Sequence, residues 1–337
     1  MFSISLPTTD YQLPTTDYRL PITDYQLPIT DYQLPTLAYP LLLMPEYYTT
    51  IAQNLIFGLF VGGIYGIAAV GLALVFGVMN VLNVAHGELL MVGGYVSFWL
   101  FANLGIDPFL SLLISIPMLF GLGLILDRTI FRHLVRLTHA TKIKNSLLVS
   151  FGLALILQNL AIQLFTADER AIQMSYFGAS ATLLGVVLPY TRLLNLLIAL
   201  AVVLALHVFL HYTYPGKAIR AVAEDWESAA LVGINVEQTY SLTFALGTAL
   251  AGIAGTLVIV GYGIEPSIGL TWTLKSLIVV VLAGTGSILG TFSAGLLLGI
   301  IEAISGMAIG ASYREVVGLV IFLLVLLFRP QGLFGRA

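Results

Sequence analysis

The sequence predicts an all-α protein: a polytopic transmembrane helical bundle of about eight to nine spans, with at least one broken or re-entrant segment. Three observations predict it. The first is composition. Of 337 residues, 58% are hydrophobic and only 9% charged, and the mean hydropathy is +0.98, whereas a soluble domain carries roughly 25% charged residues. So few charges cannot clothe a soluble body of this size, and most of the surface must face lipid or other apolar helices. The second is the recurrence of apolar runs near the roughly 20 residues that a membrane helix needs. The third is the interruption of one long run by GTGSILG (284–290). A net charge of −3 provides no basic field for nucleic acid. The absence of cysteine excludes disulfides, thiolate nucleophiles, iron–sulfur clusters and thiolate zinc sites.

Residues 1–44 stand apart from the rest. Their opening repeats with period seven as LPTTDYQ, LPTTDYR, LPITDYQ, LPITDYQ. A coiled coil is ruled out by Pro7, Pro14, Pro21 and Pro28, each of which removes a helix hydrogen bond and clashes with the preceding turn. The segment reads as a disordered, extended tail rich in polyproline II, with a Pro-rich docking ligand as the sharper alternative. No cationic stretch followed by an apolar one marks a signal peptide. Met44 lies just ahead of the first clean span, so the repeat reads as a late addition or an upstream mis-start; a mature mass that includes it would exclude the mis-start. Residues 45–337 form the membrane domain.

Within it the spans are expected at about Ile51–Val78, Val84–Phe101, Phe109–Leu126, Ser146–Phe165, Leu193–Tyr212 and Tyr240–Tyr262. An interrupted stretch runs over 274–309, readable as one span, two spans or two half-helices, and a last span covers Glu315–Phe328. Lys and Arg set orientation. The 127–145 loop holds Arg128, Arg132, Arg136, Lys142 and Lys144 and is expected in the cytoplasm. So are the 213–239 loop, with Lys217 and Arg220, and the C-terminus, with Arg329 and Arg336. The loop around Asp168 and Glu169, and the N-terminus with its single Arg19, are expected outside. Small residues four apart form rows at Gly58, Gly62 and Gly66, at Ala251 and Gly255, and at Thr291, Gly295 and Gly299. Such rows let helices approach closely in lipid.

Three segments carry candidate function. In NVLNVAHGELLMVGGYV (80–96), Asn80, Asn83, His86 and Glu88 sit at or just inside a span, with Gly87, Gly93 and Gly94 allowing a break or close packing. A helix end or gate is the reading they support. The His86–Glu88 pair as a metal or catalytic site is the alternative, and the H-x-E zinc deaminase form of it would need cysteines that this chain lacks. In YPGKAIRAVAEDWESAALVGINVEQ (214–238), a short helix is expected from Lys217 to about Val232, ended by Gly233. Ala218, Ile219, Val222, Ala223, Ala229 and Ala230 give its apolar side. It is either an interfacial helix or a docking helix, and its small alanines suit a partner's groove better than lipid. In VVVLAGTGSILGTFSAGLLLGIIEAISG (279–306), Gly284, Thr285, Gly286, Ser287 and Gly290 weaken the helix in mid-membrane, where broken helices expose backbone to a permeation path. Glu302 is an intramembrane carboxylate, open to a functional reading or to a fixed structural bond.

AHGELLMVGGYV, GKAIRAVAEDWESAALVGIN, AGTGSILG and the terminal FRPQGLFG, in that order over about residues 51–337, resemble the LivH-type permeases of branched-chain amino acid ATP-binding-cassette importers. The acid-rich EDWES stretch and the repeat tail depart from that pattern. The resemblance implies a permease that passes branched-chain or other neutral amino acids through a bacterial inner membrane, and not an enzyme. It further implies partners: a second related permease, two cytoplasmic ATPase subunits that carry the ATP and Mg, and an extracytoplasmic solute-binding protein. This chain has no G-x-x-x-x-G-K-[ST] loop of its own and is expected to bind no cofactor or metal. By the same resemblance 216–234 is the coupling helix, with Gly216, Arg220, Ala221, Asp225, Ala229 and Gly233 at its working positions. Asn83, His86, Gly87, Glu88, Gly284, Thr285, Gly286, Gly290 and Glu302 are the candidates for path and gate. The alternatives are a urea or short-amide importer permease and a stand-alone secondary transporter or channel. An intramembrane enzyme lacks any acid–base or metal set at a usable spacing.

Overall fold

The computed structural model describes residues 39–135, 139–174, 176–284, 286–329 and 331–335. The heptapeptide repeat, Arg136, Thr285 and Arg336 lie outside them. The chain divides between Met44 and Pro45, and the architecture is that of the second unit.

Twelve α-helices are described: α1 (Tyr39–Met79), α2 (His86–Leu104), α3 (Pro108–Leu126), α4 (Arg132–Val135), α5 (His139–Phe165), α6 (Tyr190–Tyr212), α7 (Tyr214–Glu224), α8 (Trp226–Leu231), α9 (Val236–Gly261), α10 (Ile268–Ala283), α11 (Ile288–Ala308) and α12 (Arg314–Phe328). Among the described residues, eight segments are long and apolar enough to cross a membrane; α10, at 16 residues, is a shorter apolar helix. Local signals set the ends. Asp107 caps α3 by accepting from the Phe109 N–H, with Pro108 in the first turn, and Asn235 caps α9 by accepting from the Gln238 N–H. Gly105, at φ +66°, closes α2 in the left-handed conformation that glycine tolerates.

The 274–309 ambiguity resolves into two helices. Ser287 caps α11 by accepting from the Gly290 N–H, and Gly284 leaves α10 at φ +82°. The carbonyls of Leu282 and Ala283 then accept from the N–H groups of Leu333 and Phe334. Two distant motifs, AGTGSILG and FRPQGLFG, thus meet: the second closes the end of α10 that the first leaves open.

The most enclosed span is α9. Small residues let three helices reach it. Gly71 of α1 lies against Gly247, Gly93 of α2 against Gly252, and Gly123 of α3 against Ala245 and Thr248. The first and third glycine rows of the sequence pack on each other: Gly58 faces Gly299 and Ala303, while Gly62 and Gly66 face Gly295, Leu296 and Phe292. Ser97 and Thr256 share a buried hydroxyl hydrogen bond of 2.7 Å between α2 and α9.

A two-stranded hairpin, β1 (Ser180–Leu183) and β2 (Val186–Pro189), lies between α5 and α6, a feature absent from the sequence-based expectation. Leu184 and Gly185, at φ +51° and +83°, form the two-residue turn that matches strand twist. Gln53 of α1 clips β2 through both amide atoms, donating to the Val187 carbonyl at 2.8 Å and accepting from its N–H at 2.7 Å. Nearby, Arg170 and Ile264 exchange backbone hydrogen bonds, so the 166–179 and 262–267 loops share one end of the bundle. At the other end lie α4, α7 and α8, where Arg132 is ion-paired with Glu237.

Candidate functional site

Residues 80–85 leave the helical path between α1 and α2, with Asn80 at φ +53°. A buried, non-helical backbone needs partners for its N–H and C=O groups. Hydroxyls supply them. Ser146 accepts from the Leu82 N–H at 3.1 Å, Ser150 accepts from the Val84 N–H at 3.0 Å and donates to the Leu82 carbonyl, and Thr273 donates to the Val84 carbonyl at 2.9 Å. Asn83 is buried and accepts from the Ala85 N–H at 3.1 Å.

His86, at the start of α2, places Nε2 2.9 Å from the Ala68 carbonyl of α1. Ala68 precedes the end of α1 by 11 residues, or about 16 Å of helix rise. The chain therefore runs down to Met79 and climbs back before α2 begins, which makes 80–85 re-entrant. Among the described residues no group of three or more His, Cys, Asp or Glu could hold a metal ion. The His86 ring fastens α2 to α1. The Gly87 N–H donates to Thr273 Oγ1 at 2.8 Å, and a Cβ at Gly87 would run into the Gly269 carbonyl. Glu88 is 3% exposed, lies against Gly269 and has no hydrogen-bond partner at Oε2.

Glu302 of α11 accepts from Lys275 Nζ at 2.5 Å and from the Tyr65 hydroxyl at 2.9 Å. The carboxylate is thus held between α1, α10 and α11 as a fixed bond. Lys275, Thr273 and Tyr65 are not among the residues that the sequence singles out, although a lone lysine in TWTLKSLIVVVLAG is the kind of costly intramembrane charge that signals a partner. A cavity of about 550 Å³ opens beside the pair, walled by Phe57, Val61 and Trp272, with Arg192 and Arg314 also lining it. The Arg192 guanidinium lies 4.7 Å from the Phe57 ring centroid. The short helix α10 joins these features: Thr273 holds the re-entrant segment, Lys275 holds Glu302, and Gly284 and Gly286 (φ +118°) form the break before Gly290.

The single helix expected from Lys217 to about Val232 is two helices, α7 and α8, broken at Asp225. The cause is local. The Asp225 carboxylate accepts from the Glu227 N–H and the Ser228 hydroxyl, capping a new helix instead of continuing the old one. The Ser228 hydroxyl, together with backbone N–H donors, holds that carboxyl below its ordinary pKa. Gly233 ends α8 at φ +88°, as expected. The apolar side also differs from the expectation. Ala218, Ile219, Val222 and Ala229 are buried within the protein, Ala221 is half-buried, and Ala223 and Ala230 are exposed. What projects outward is Trp226, Leu231 and Val232, with Leu231 88% exposed. Gly216 has no room for a side chain against Phe209 and Leu210, and Arg220 Nε donates to the Leu210 carbonyl at 2.9 Å, tying α7 to the end of α6.

Residues 54–328 match the family model of the branched-chain amino acid transport system permease component. The chain is 35% identical over 306 residues to the high-affinity branched-chain amino acid transport system permease protein BraD of Pseudomonas aeruginosa, a match that covers 87% of this chain and 98% of the relative. It is 33% identical over 313 residues to the Escherichia coli K12 permease protein LivH, with the same coverage of each. A probable LivH of Methanocaldococcus jannaschii is 28% identical over 79% of this chain and 87% of its own length.

Proposed function

The chain belongs to the family of branched-chain amino acid transport system permease components, and from that premise we propose that it forms the membrane path of an ATP-driven importer for branched-chain or other neutral amino acids. It works in a bacterial inner membrane with two cytoplasmic ATPase subunits, a second related permease and an external binding protein. The α7–α8 end, α4 and the C-terminus face the cytoplasm, and the hairpin end faces outward. The observation that carries this reading is the α7–α8 pair. It is tied to α6 through Arg220 and presents Trp226, Leu231 and Val232 to solvent at one end of an otherwise apolar bundle. An exposed apolar cluster of this kind marks a protein contact, and a partner that moves it moves α6 and α9 directly.

The gate in this reading is α10 with the segments it holds, 80–88 and 284–290. Glu302 supports an ATP-driven importer over an ion-coupled carrier, because its carboxylate is already engaged by Lys275 and Tyr65.

The test is a gentle purification of the tagged chain, then identification of its companions. An ATPase and a second permease are expected; a chain that stays alone after crosslinking in membranes overturns the importer reading. Leu231→Asp is expected to abolish uptake while membrane insertion and yield stay unchanged. Ala229 is the wrong position for that experiment, since at 4% exposure a larger side chain there disturbs the fold itself.

A further inference from the structure

A second cavity, of about 830 Å³, lies beneath the α7–α8 pair at the end of the bundle opposite the hairpin. Its size is within the range of roughly 300–1,000 Å³ typical of small-molecule sites. Two charged side chains line it, and one of them, Asp127, holds an oxygen without the partner that burial demands. Asp127, 1% exposed, accepts from the Ser241 hydroxyl at Oδ2, but its Oδ1 has no hydrogen-bond partner. Lys142, 8% exposed, makes no hydrogen bond or ion pair with the described residues, and its ammonium keeps some contact with water. Arg132 and Glu237, also in the lining, are already ion-paired. The rest of the wall is mixed: Val78, Val222 and Trp226 give apolar surface, Asn80, Asn235 and Tyr240 give polar surface, and Glu224 and Asp225 stand exposed at the rim, where water screens them.

A simple anion would satisfy Lys142 and leave Asp127 Oδ1 bare; a simple cation would do the reverse. A ligand that carries an ammonium, a carboxylate and an apolar side chain satisfies both groups and the apolar part of the wall. We propose that this cavity is a cytoplasmic-side site for a free aliphatic amino acid, with its ammonium on Asp127 Oδ1, its carboxylate on Lys142 and its side chain against Val78 and Val222. The cavity is roofed by α7 and α8 and floored by the ends of α1, α3 and α5. A ligand there clamps the α7–α8 pair to the bundle, so imported amino acid that accumulates inside slows further import. The choice of an amino acid, and the feedback, rest on the permease reading above; the shared lining by Asp127, Lys142, Val78 and Val222 is independent of it.

The experiment measures radiolabelled leucine binding to the purified full-length chain in nanodiscs, in competition with N-acetylleucine, which lacks the ammonium, and leucine amide, which lacks the carboxylate. Leucine is expected to bind and both analogues to compete at least tenfold less well. Asp127→Asn and Lys142→Gln are each expected to weaken binding at least tenfold. Ala223→Trp, which adds a bulky ring at an exposed position of the lining, is expected to abolish it, and this variant carries the test if the charge variants do not fold. Equal binding by the wild type and a folded, monodisperse variant, or equal competition by N-acetylleucine, overturns the site. The importer reading is judged separately. In proteoliposomes of the co-purified complex, leucine on the α7–α8 side is expected to slow ATP-driven uptake in the wild type, while Asp127→Asn and Lys142→Gln keep the initial rate and lose the inhibition. Binding without companions would leave the site standing and remove the importer; companions without binding would do the opposite.

Discussion

Lys275 and Glu302 stand at 10% and 7% side-chain exposure, so neither charge can lean on water if the other is removed. Breaking a buried pair by deleting one partner costs about 3–5 kcal/mol, because the survivor is left uncompensated. Lys275→Met alone and Glu302→Gln alone are therefore expected to lower thermal stability in detergent sharply, and the double variant is expected to recover most of the loss. Additive losses in the double variant would mean that the two charges do not stabilise each other. The carboxylate was legible in the sequence as an expensive residue that needed an explanation, yet its partner lies 27 residues away on another helix and no local pattern couples them. His86 shows the same limit. Its position inside a span was legible; its bond to the Ala68 carbonyl depends on a backbone that folds back on itself.

At the scale of helices, the glycine rows were the readable part, because a spacing of four residues puts small side chains on one face whatever the partner is. Which rows meet was not readable, since that is decided by the order of the bundle. The pairing of the α1 row with α11 gives a sharp contrast within one chain. A Cβ at Gly62 would lie 2.7 Å from the Leu296 Cα, a backbone atom that cannot step aside, whereas Gly121 of α3 has nothing within 4 Å. Gly62→Ala is expected to cost about 1–3 kcal/mol as overpacking. Gly121→Ala is expected to be neutral or to gain up to about 1 kcal/mol from helix propensity. Melting temperatures read by size-exclusion chromatography check both, and equal effects would mean that α1 and α11 do not meet there. The hairpin does have a signal in the sequence: Gly185 directly precedes the strand formers Val186 and Val187, with Thr182 three residues before it. The break at Asp225 has one too, in the D-x-E-S pattern of an aspartate that caps a new helix on its C-terminal side.

For the whole molecule, composition and span length were enough for the class of fold, and the count of eight apolar spans plus one short helix agrees with about eight to nine. Sidedness is testable with unusual clarity because the chain contains no cysteine of its own. A cysteine placed at Leu184, 91% exposed at the hairpin tip, is expected to react with a membrane-impermeant maleimide added outside intact cells; one at Leu231 is expected to react only after lysis. The opposite pattern would invert the bundle. The re-entrant segment also sets a schedule for biosynthesis. Residues 80–85 emerge early, but the hydroxyls that satisfy them belong to Ser146, Ser150 and Thr273, made up to 189 residues later. Ser146 and Ser150 can serve the Leu82 and Val84 amides once α5 is made, but until the ribosome has passed Thr273 the Val84 carbonyl has no donor, so the earliest span to be inserted is among the last to be finished. Nascent chains arrested before that point are the ones that membrane chaperones and proteases should find.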